Sequence, residues 1–126
     1  MNGERYLLDT NAVIALLRGH GPLATRLREA QWVGISILSQ IEFLAFPDLS
    51  EDDKLYFARF LERVEVVGLE RTQVLLIQQV IEVRRVHRLR LPDAIIVATA
   101  LYSLATLVTG DQRLLTLAGV PVLALT

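Results

Sequence analysis

The sequence predicts an α/β domain with a mainly parallel central sheet and helices on both faces. Short apolar, β-branched runs alternate along the chain with longer amphipathic segments, which is the pattern of parallel α/β proteins. Apolar residues make up 52% of the chain, so a large share of it should be buried. A length of 126 residues fits one domain with a substantial core, and we expect a single domain over residues 1–126.

Five short segments are predicted to be strands because they are apolar and rich in β-branched or aromatic residues. The strands are Tyr6–Leu8, Trp32–Ile35, Val64–Leu69, Leu104–Thr109 and Val120–Leu125.

The helices are predicted from capping residues, breakers and helical periodicity. The first three helices run from a cap at Thr10 or Asn11 to Arg18, from Pro22 to Ala30, and from Ser36 or Ser39 to Phe46. A fourth begins at Ser50, and its Leu55, Phe57, Phe60 and Leu61 are expected to point inward. The others run from Arg71 to Leu89, from Pro92 onward as a central helix, and from Asp111 to Leu117 as a short helix.

Composition limits the class of protein. No apolar run reaches the ~18 residues of a membrane span, and the N-terminus lacks the layout of a signal peptide. The chain has no cysteine, which excludes disulfides and thiolate metal sites and favours the cytoplasm. A formal charge of −1 argues against a general nucleic-acid coat, although acids tied up by cations in one site would leave a basic surface.

Four carboxylates occupy places where a parallel sheet gathers ligands. Asp9 follows the first strand, Asp111 follows the fourth, and Glu42 and Asp93 lie near the predicted starts of helices. Each also has a purely structural explanation. Asp9 and Asp111 could be N-caps, Ser39-x-x-Glu42 could be a capping box, and Asp93 could favour the dipole of a first turn.

Carboxylates that converge beside apolar segments repel one another unless cations bind. With no thiolates present, such a set is typical of a hard-cation site, so we expect Mg²⁺ or Mn²⁺. His20 and His87 lie in basic, surface-like stretches and are not expected to be ligands. A cluster of this kind suits phosphodiester hydrolysis, because a bound metal ion lowers the pKa of water and offsets phosphate charge.

A second feature is the basic stretch Arg84-Arg85-Val86-His87-Arg88-Leu89-Arg90. Arginine forks suit bidentate contact with phosphate or carboxylate. The four arginines could therefore contact RNA or a protein partner, or could simply form a solvated helix face.

Four motifs resemble those of the PIN-domain ribonucleases, and most closely the VapC-type toxins of type II toxin–antitoxin pairs. They are Leu8-Asp9-Thr10-Asn11, Ser39-Gln40-Ile41-Glu42, Leu91-Pro92-Asp93-Ala94 and Val108-Thr109-Gly110-Asp111. The resemblance covers essentially the whole chain and implies a three-layer α/β/α fold. It also implies a Mg²⁺- or Mn²⁺-dependent endoribonuclease that forms a homodimer and is inhibited by a cognate antitoxin.

By position, the resemblance makes Asp9 and Asp93 the main metal ligands, with Glu42 and Asp111 completing the catalytic pocket. Thr10, Asn11 and Thr109 would hold these groups in place. One departure is visible: many members follow the last motif with an acid and an aromatic residue, where this chain has Arg113-Leu114.

Other classes fit less well. A phosphoacceptor receiver domain needs a lysine near a late strand, and Lys54, the only lysine, is in the wrong place. A haloacid-dehalogenase-like phosphatase would need an aspartate where Asn11 stands. A non-catalytic scaffold of the same fold, or an RNA-binding or interaction module, remains the alternative.

Overall fold

The computed structural model describes residues 3–125, and its core is a five-stranded sheet in which every pairing is parallel. The strand order is β3-β2-β1-β4-β5. The strands are β1 Arg5–Leu8, β2 Trp32–Ser36, β3 Glu65–Val67, β4 Thr106–Thr109 and β5 Val122–Ala124.

Helices cover both faces of the sheet, which confirms the predicted three-layer α/β/α architecture. They are α1 Thr10–Leu17, α2 Gly21–Arg28, α3 Ile37–Leu44, α4 Glu51–Leu61, α5 Val74–His87 and α6 Leu91–Tyr102. No helix within residues 3–125 is long and apolar enough to cross a membrane.

The core divides into two clusters because successive side chains of a strand point to opposite faces of the sheet. Leu7 and Leu107 face α5 and α6 in one cluster. Tyr6, Leu8 and Val108 belong to the other, which the first four helices complete. In that second cluster, Phe43 of α3 stacks on Phe57 of α4 with ring centroids 4.0 Å apart, so aromatic contact fixes two of the covering helices to each other.

Several predicted boundaries were wrong. The third strand is only three residues long and the segment predicted as a helix over residues 111–117 is a 3₁₀ turn, Gln112–Leu114. Helix α5 begins at Val74 rather than Arg71. Leu55, predicted to point inward, is 47% exposed, because Phe57 and Phe60 form the buried face of α4.

The structure also decides between helix caps that the sequence left as alternatives. Asp9, not Thr10 or Asn11, caps α1, because its extended backbone lets the carboxylate accept the Thr10 N–H. Ser36 caps α3 through the Leu38 N–H. Ser39 is therefore inside α3, and the capping box proposed for Glu42 does not form.

The sheet topology creates one switch point. From β1 the chain winds outward through β2 and β3, then returns to add β4 on the other side of β1. The carboxyl ends of β1 and β4 therefore lie side by side where the winding direction reverses, the place where open α/β sheets bind ligands.

Candidate active site

Asp9 lies at the carboxyl end of β1, and its environment is costly for a charge. Its backbone N–H donates to the Val108 carbonyl (2.9 Å), which holds the residue at the edge of the sheet next to β4. Burial raises the pKa of the Asp9 carboxyl above its ordinary value. The hydrogen bonds from Thr109 and Thr10 oppose that rise, and the negative charges of Glu42 and Asp93 add to it. The uncompensated charge of Asp9 is thus suited to a bound cation.

Thr109, the last residue of β4, connects two of the acidic motifs. It is fully buried, and its hydroxyl donates to Asp9 Oδ2 (2.9 Å). The same hydroxyl oxygen accepts the backbone N–H of Asp111 (3.0 Å). Next to it, the Gly110 N–H donates to Asn11 Oδ1 (2.8 Å). The loop after β4 is therefore tied to the start of α1 by side chains from both segments.

Glu42 reaches the site from the C-terminal half of α3, not from near its start as the sequence predicted. Its Oε1 accepts a hydrogen bond from Thr10 Oγ1 (2.8 Å), and Ser39 Oγ lies 3.1 Å from the same hydroxyl. Ser39 is buried. The Thr10 hydroxyl thus fixes Glu42 beside the first turn of α1, where the Asp9 carboxylate is also held.

Asp93 comes from the first turn of α6, and the Asp9, Glu42, Asp93 and Asp111 side chains line one open cleft of about 520 Å³. Apolar side chains such as Ile14, Phe46 and Ile96 form part of its wall. Four motifs that are far apart in the sequence therefore meet at the sheet switch point.

Arg113 contacts two acids of this site from its edge, and the sequence did not predict this role. Its guanidinium donates two hydrogen bonds to the Asp111 carboxylate, from Nη2 to Oδ2 (2.6 Å) and from Nε to Oδ1 (3.1 Å). The same Nη2 lies 3.4 Å from Asp93 Oδ2. These hydrogen bonds hold the pKa of the Asp111 carboxyl below its usual range. The available signal was the departure at residue 113 itself, two positions after Asp111.

The donor chemistry of the cleft fits Mg²⁺ or Mn²⁺, since all four charged donors are carboxylates. Among residues 3–125, however, no three acidic or histidine side chains are already close enough together to hold an ion. Arg113 draws Asp93 and Asp111 together on its own side, while Glu42 is held by Thr10. A bound ion would therefore require these side chains to move toward Asp9.

The basic stretch runs through the junction of α5 and α6 and is solvent-exposed at each of its arginines. Arg84 and Arg85 lie in the last turn of α5, and Arg85 pairs with Glu82 (2.8 Å). Arg88 ends the helix in a left-handed conformation (φ 54°), and Arg90 precedes the first turn of α6. The stretch therefore leads directly into the helix that carries Asp93.

The fold and this cleft define a three-layer α/β/α domain that gathers carboxylates at its sheet switch point. The sequence model of the PIN domain matches residues 6–120, and the chain therefore belongs to the PIN-domain family. PIN domains are generally nucleases. No curated protein sequence matches the chain.

The solved structures with the same fold include VapBC and toxin–antitoxin complexes. VapBC2 from Rickettsia felis, bound to a DNA fragment of its promoter, superposes with a TM-score of 0.78 at 18% identity, covering 97% of this chain and 99% of that one. A toxin–antitoxin complex from Klebsiella pneumoniae gives 0.73 at 22% identity, covering 96% of each chain. VapBC-1 from nontypeable Haemophilus influenzae gives 0.74 at 20% identity, covering 95% of this chain and 97% of that one.

Proposed function

We propose that this chain is a Mg²⁺- or Mn²⁺-dependent endoribonuclease that acts as the toxin of a toxin–antitoxin pair in the cytoplasm. The observation that carries the proposal is the cleft at the β1/β4 switch point, where Asp9, Glu42, Asp93 and Asp111 meet. The PIN-domain match and the similarity to toxin–antitoxin structures support the same interpretation.

The proposed roles combine the resemblance to PIN-domain ribonucleases with the contacts of each side chain. Asp9 and Asp93 are the main metal ligands, as the resemblance implies, and the raised pKa of the Asp9 carboxyl is consistent with a charge that a cation would stabilise. Glu42 completes the pocket from α3, and Asp111 from the loop after β4. A divalent ion held there supplies an activated water and offsets the charge of the attacked phosphodiester.

Three further residues position these acids. Thr109 orients Asp9 through Oδ2, and Thr10 holds Glu42 through Oε1. Asn11 anchors the Gly110 backbone and thereby the loop that presents Asp111. These three side chains act through the carboxylates, so we expect their loss to loosen the site rather than to remove a reacting group.

The proposed partners are RNA, a cognate antitoxin and a second copy of this chain. The similar solved structures include toxin–antitoxin complexes, which supports the antitoxin. Large apolar side chains that remain exposed on α5, such as Leu75 (70% exposed) and Ile81 (61%), support contact with another protein surface. Sedimentation of the purified chain would test the homodimer.

The function is tested with purified protein, single-stranded RNA and Mg²⁺ or Mn²⁺. We expect cleavage by the wild type, its loss on adding EDTA, and its abolition in Asp9→Asn and Asp93→Asn with the fold retained. Asp52→Asn is the matched control, because Asp52 is an exposed acid of the first turn of α4, away from the cleft.

Two results would contradict the proposal. Full activity in either cleft variant would remove the assignment of Asp9 and Asp93. A wild type that binds RNA without cleaving it in any divalent ion would favour the non-catalytic scaffold or RNA-binding module. In that case the ion pairs of Arg113 with Asp93 and Asp111 would be purely structural.

A further inference from the structure

Arg113 places a positive charge at the edge of the cleft, against two of the four carboxylates that line it. It holds Asp111 in a two-bond fork, with Nε and Nη2 each donating to one carboxylate oxygen. Bidentate pairs of this kind are among the stronger hydrogen-bonded ion pairs in proteins. The same Nη2 lies 3.4 Å from Asp93 Oδ2, so one side chain links acids from two separate motifs.

The fork occupies both oxygens of Asp111. Oδ1 accepts the Arg113 backbone N–H (2.9 Å) as well as its Nε–H, and Oδ2 accepts the Nη2–H. The Asp93 and Asp111 side chains are only 24% and 22% exposed, so water screens these contacts less than it screens a pair on the open surface. These three hydrogen bonds leave one lone pair of Asp111, on Oδ2, so a metal ion bound there would lie against the Arg113 guanidinium and be repelled by its positive charge.

The formal charges of the four acids and Arg113 also favour a cation near Asp9 rather than near Asp111. The four carboxylates carry a formal charge of −4, and Arg113 reduces it to −3. Asp9 and Glu42 are the two acids that have no contact with Arg113 within the described part of the chain, and Asp93 has one oxygen that does not contact it. The uncompensated charge is therefore concentrated around Asp9, in one place.

We infer that Arg113 takes the position of a second divalent cation, so that the site binds one metal ion, at Asp9, Glu42 and Asp93. The inference rests on the proposed function and specifies its metal content. The guanidinium contributes a fixed positive charge and N–H donors, the groups that suit phosphate oxygens. Nη1 makes no hydrogen bond to any residue between 3 and 125, so it is available for such a contact.

Counting bound Mn²⁺ tests this inference. Free Mn²⁺ is measured by electron paramagnetic resonance while the ion is titrated into the metal-free protein, so that the bound equivalents are read directly. We expect about one Mn²⁺ per wild-type chain and about two for Arg113→Gln, which frees Asp111 and one oxygen of Asp93. Arg113→Gln should fold, because the side chain is 63% exposed and the backbone cap at Asp111 Oδ1 remains.

Two further variants isolate the charge at this position. Lys54→Gln removes the positive charge of an exposed ion pair with Glu51 on α4, outside the cleft, and should keep the wild-type count. Arg113→Lys retains the charge and should also stay at about one equivalent. A second equivalent in Arg113→Lys would overturn the inference, as would a second equivalent in the wild type or an unchanged count in Arg113→Gln.

RNA cleavage measured in the same Mn²⁺ buffer distinguishes a failure of the one-ion inference from a failure of the proposed function. A wild type that cleaves RNA while holding two ions overturns the one-ion inference and leaves the nuclease function intact. A wild type that neither binds Mn²⁺ nor cleaves RNA overturns the proposed function, and the one-ion inference with it.

Discussion

Replacing Thr109 with valine removes both hydrogen bonds of its hydroxyl while keeping the shape of a fully buried side chain. The bond to the Asp9 carboxylate belongs to the charged class, which contributes about 1.5–3 kcal/mol, and the bond from the Asp111 N–H contributes about 0.5–1.5 kcal/mol. Both partners are partly exposed and regain some contact with water. We therefore expect Thr109→Val to lower the free energy of unfolding by about 2–3 kcal/mol.

For a domain of this length, 1 kcal/mol corresponds to a shift in Tm of roughly 3–5 °C. Thr109→Val should therefore unfold about 6–15 °C below the wild type when thermal unfolding is followed by circular dichroism. Thr109→Ser is the matched control, since it keeps the hydroxyl and loses one buried methyl group, which costs about 1 kcal/mol. Its Tm should lie clearly between those of the wild type and the valine variant.

The pH dependence of this destabilisation has a definite sign. The folded-state pKa of Asp9 is above its ordinary value of 3.8, so ionising Asp9 costs stability at neutral pH, and that cost disappears as the pH falls through the folded-state pKa. The Thr109 hydrogen bond lowers this pKa, and its removal raises the pKa further. The destabilisation by Thr109→Val should therefore be largest at neutral pH and shrink on acidification.

Two results would refute this reasoning. One is a Tm for Thr109→Val within about 2 °C of the wild type at neutral pH, which would mean that the hydroxyl contributes little. The other is an equal decrease in Tm for the serine and valine variants, which would assign the effect to packing rather than to the hydrogen bonds with Asp9 and Asp111.

The remaining predictions concern metal, Asp111 and RNA. Saturating Mg²⁺ should raise the Tm of the wild type by binding linkage and leave that of Asp9→Asn nearly unchanged; equal shifts would place the ion elsewhere. Asp111→Asn should reduce cleavage less than Asp9→Asn at saturating Mg²⁺, because both Asp111 oxygens are already bonded to Arg113; the reverse order would contradict the ranking of the acids. If the basic stretch follows the RNA backbone, replacing Arg85 and Arg88 with glutamine should weaken RNA binding in Ca²⁺ and reduce its salt slope by about 0.7 for each phosphate that the protein no longer touches. An unchanged slope would mean that the stretch binds a protein partner or is simply solvated. In the second case the double variant should lose only ~0–1 kcal/mol of stability.

The fold could be predicted because each strand is a short apolar run between turn residues. The lengths of the strands could not be predicted, because an apolar run can be longer than the part of it that pairs with a neighbouring strand. Residues 64–69 are mostly apolar, yet β3 lies at the sheet edge and pairs with β2 only over Glu65–Val67. Similarly, the apolar periodicity of α5 does not reveal that its first turn starts only at Val74.

The site was predictable to the extent that it depends on strand ends. Asp9 and Thr109 directly follow or end strands that the sequence identifies, so their meeting at the sheet edge follows from a parallel topology. Glu42 was harder to place, because Ser36 and Ser39 are both acceptable caps and the choice shifts every position in α3. Only the tertiary contact with Thr10 distinguishes a helix cap from a member of the cleft.

Arg113 shows why a count of acids cannot define the charge of a cleft. The sequence has an arginine at the position where the PIN-domain motif that it resembles has an acid, and that difference alone suggests a missing ligand. The structure shows that the side chain turns back onto Asp111 and Asp93, so the substitution changes the formal charge of the site by two units relative to an acid at the same position. An acid there would add a ligand and favour more bound cation, whereas the arginine supplies a cation of its own. Arg113 therefore weakens the match to the motif, but its positive charge compensates for the metal ligand that an acid would have supplied. This compensation depends on the 3₁₀ turn after β4, which carries Arg113.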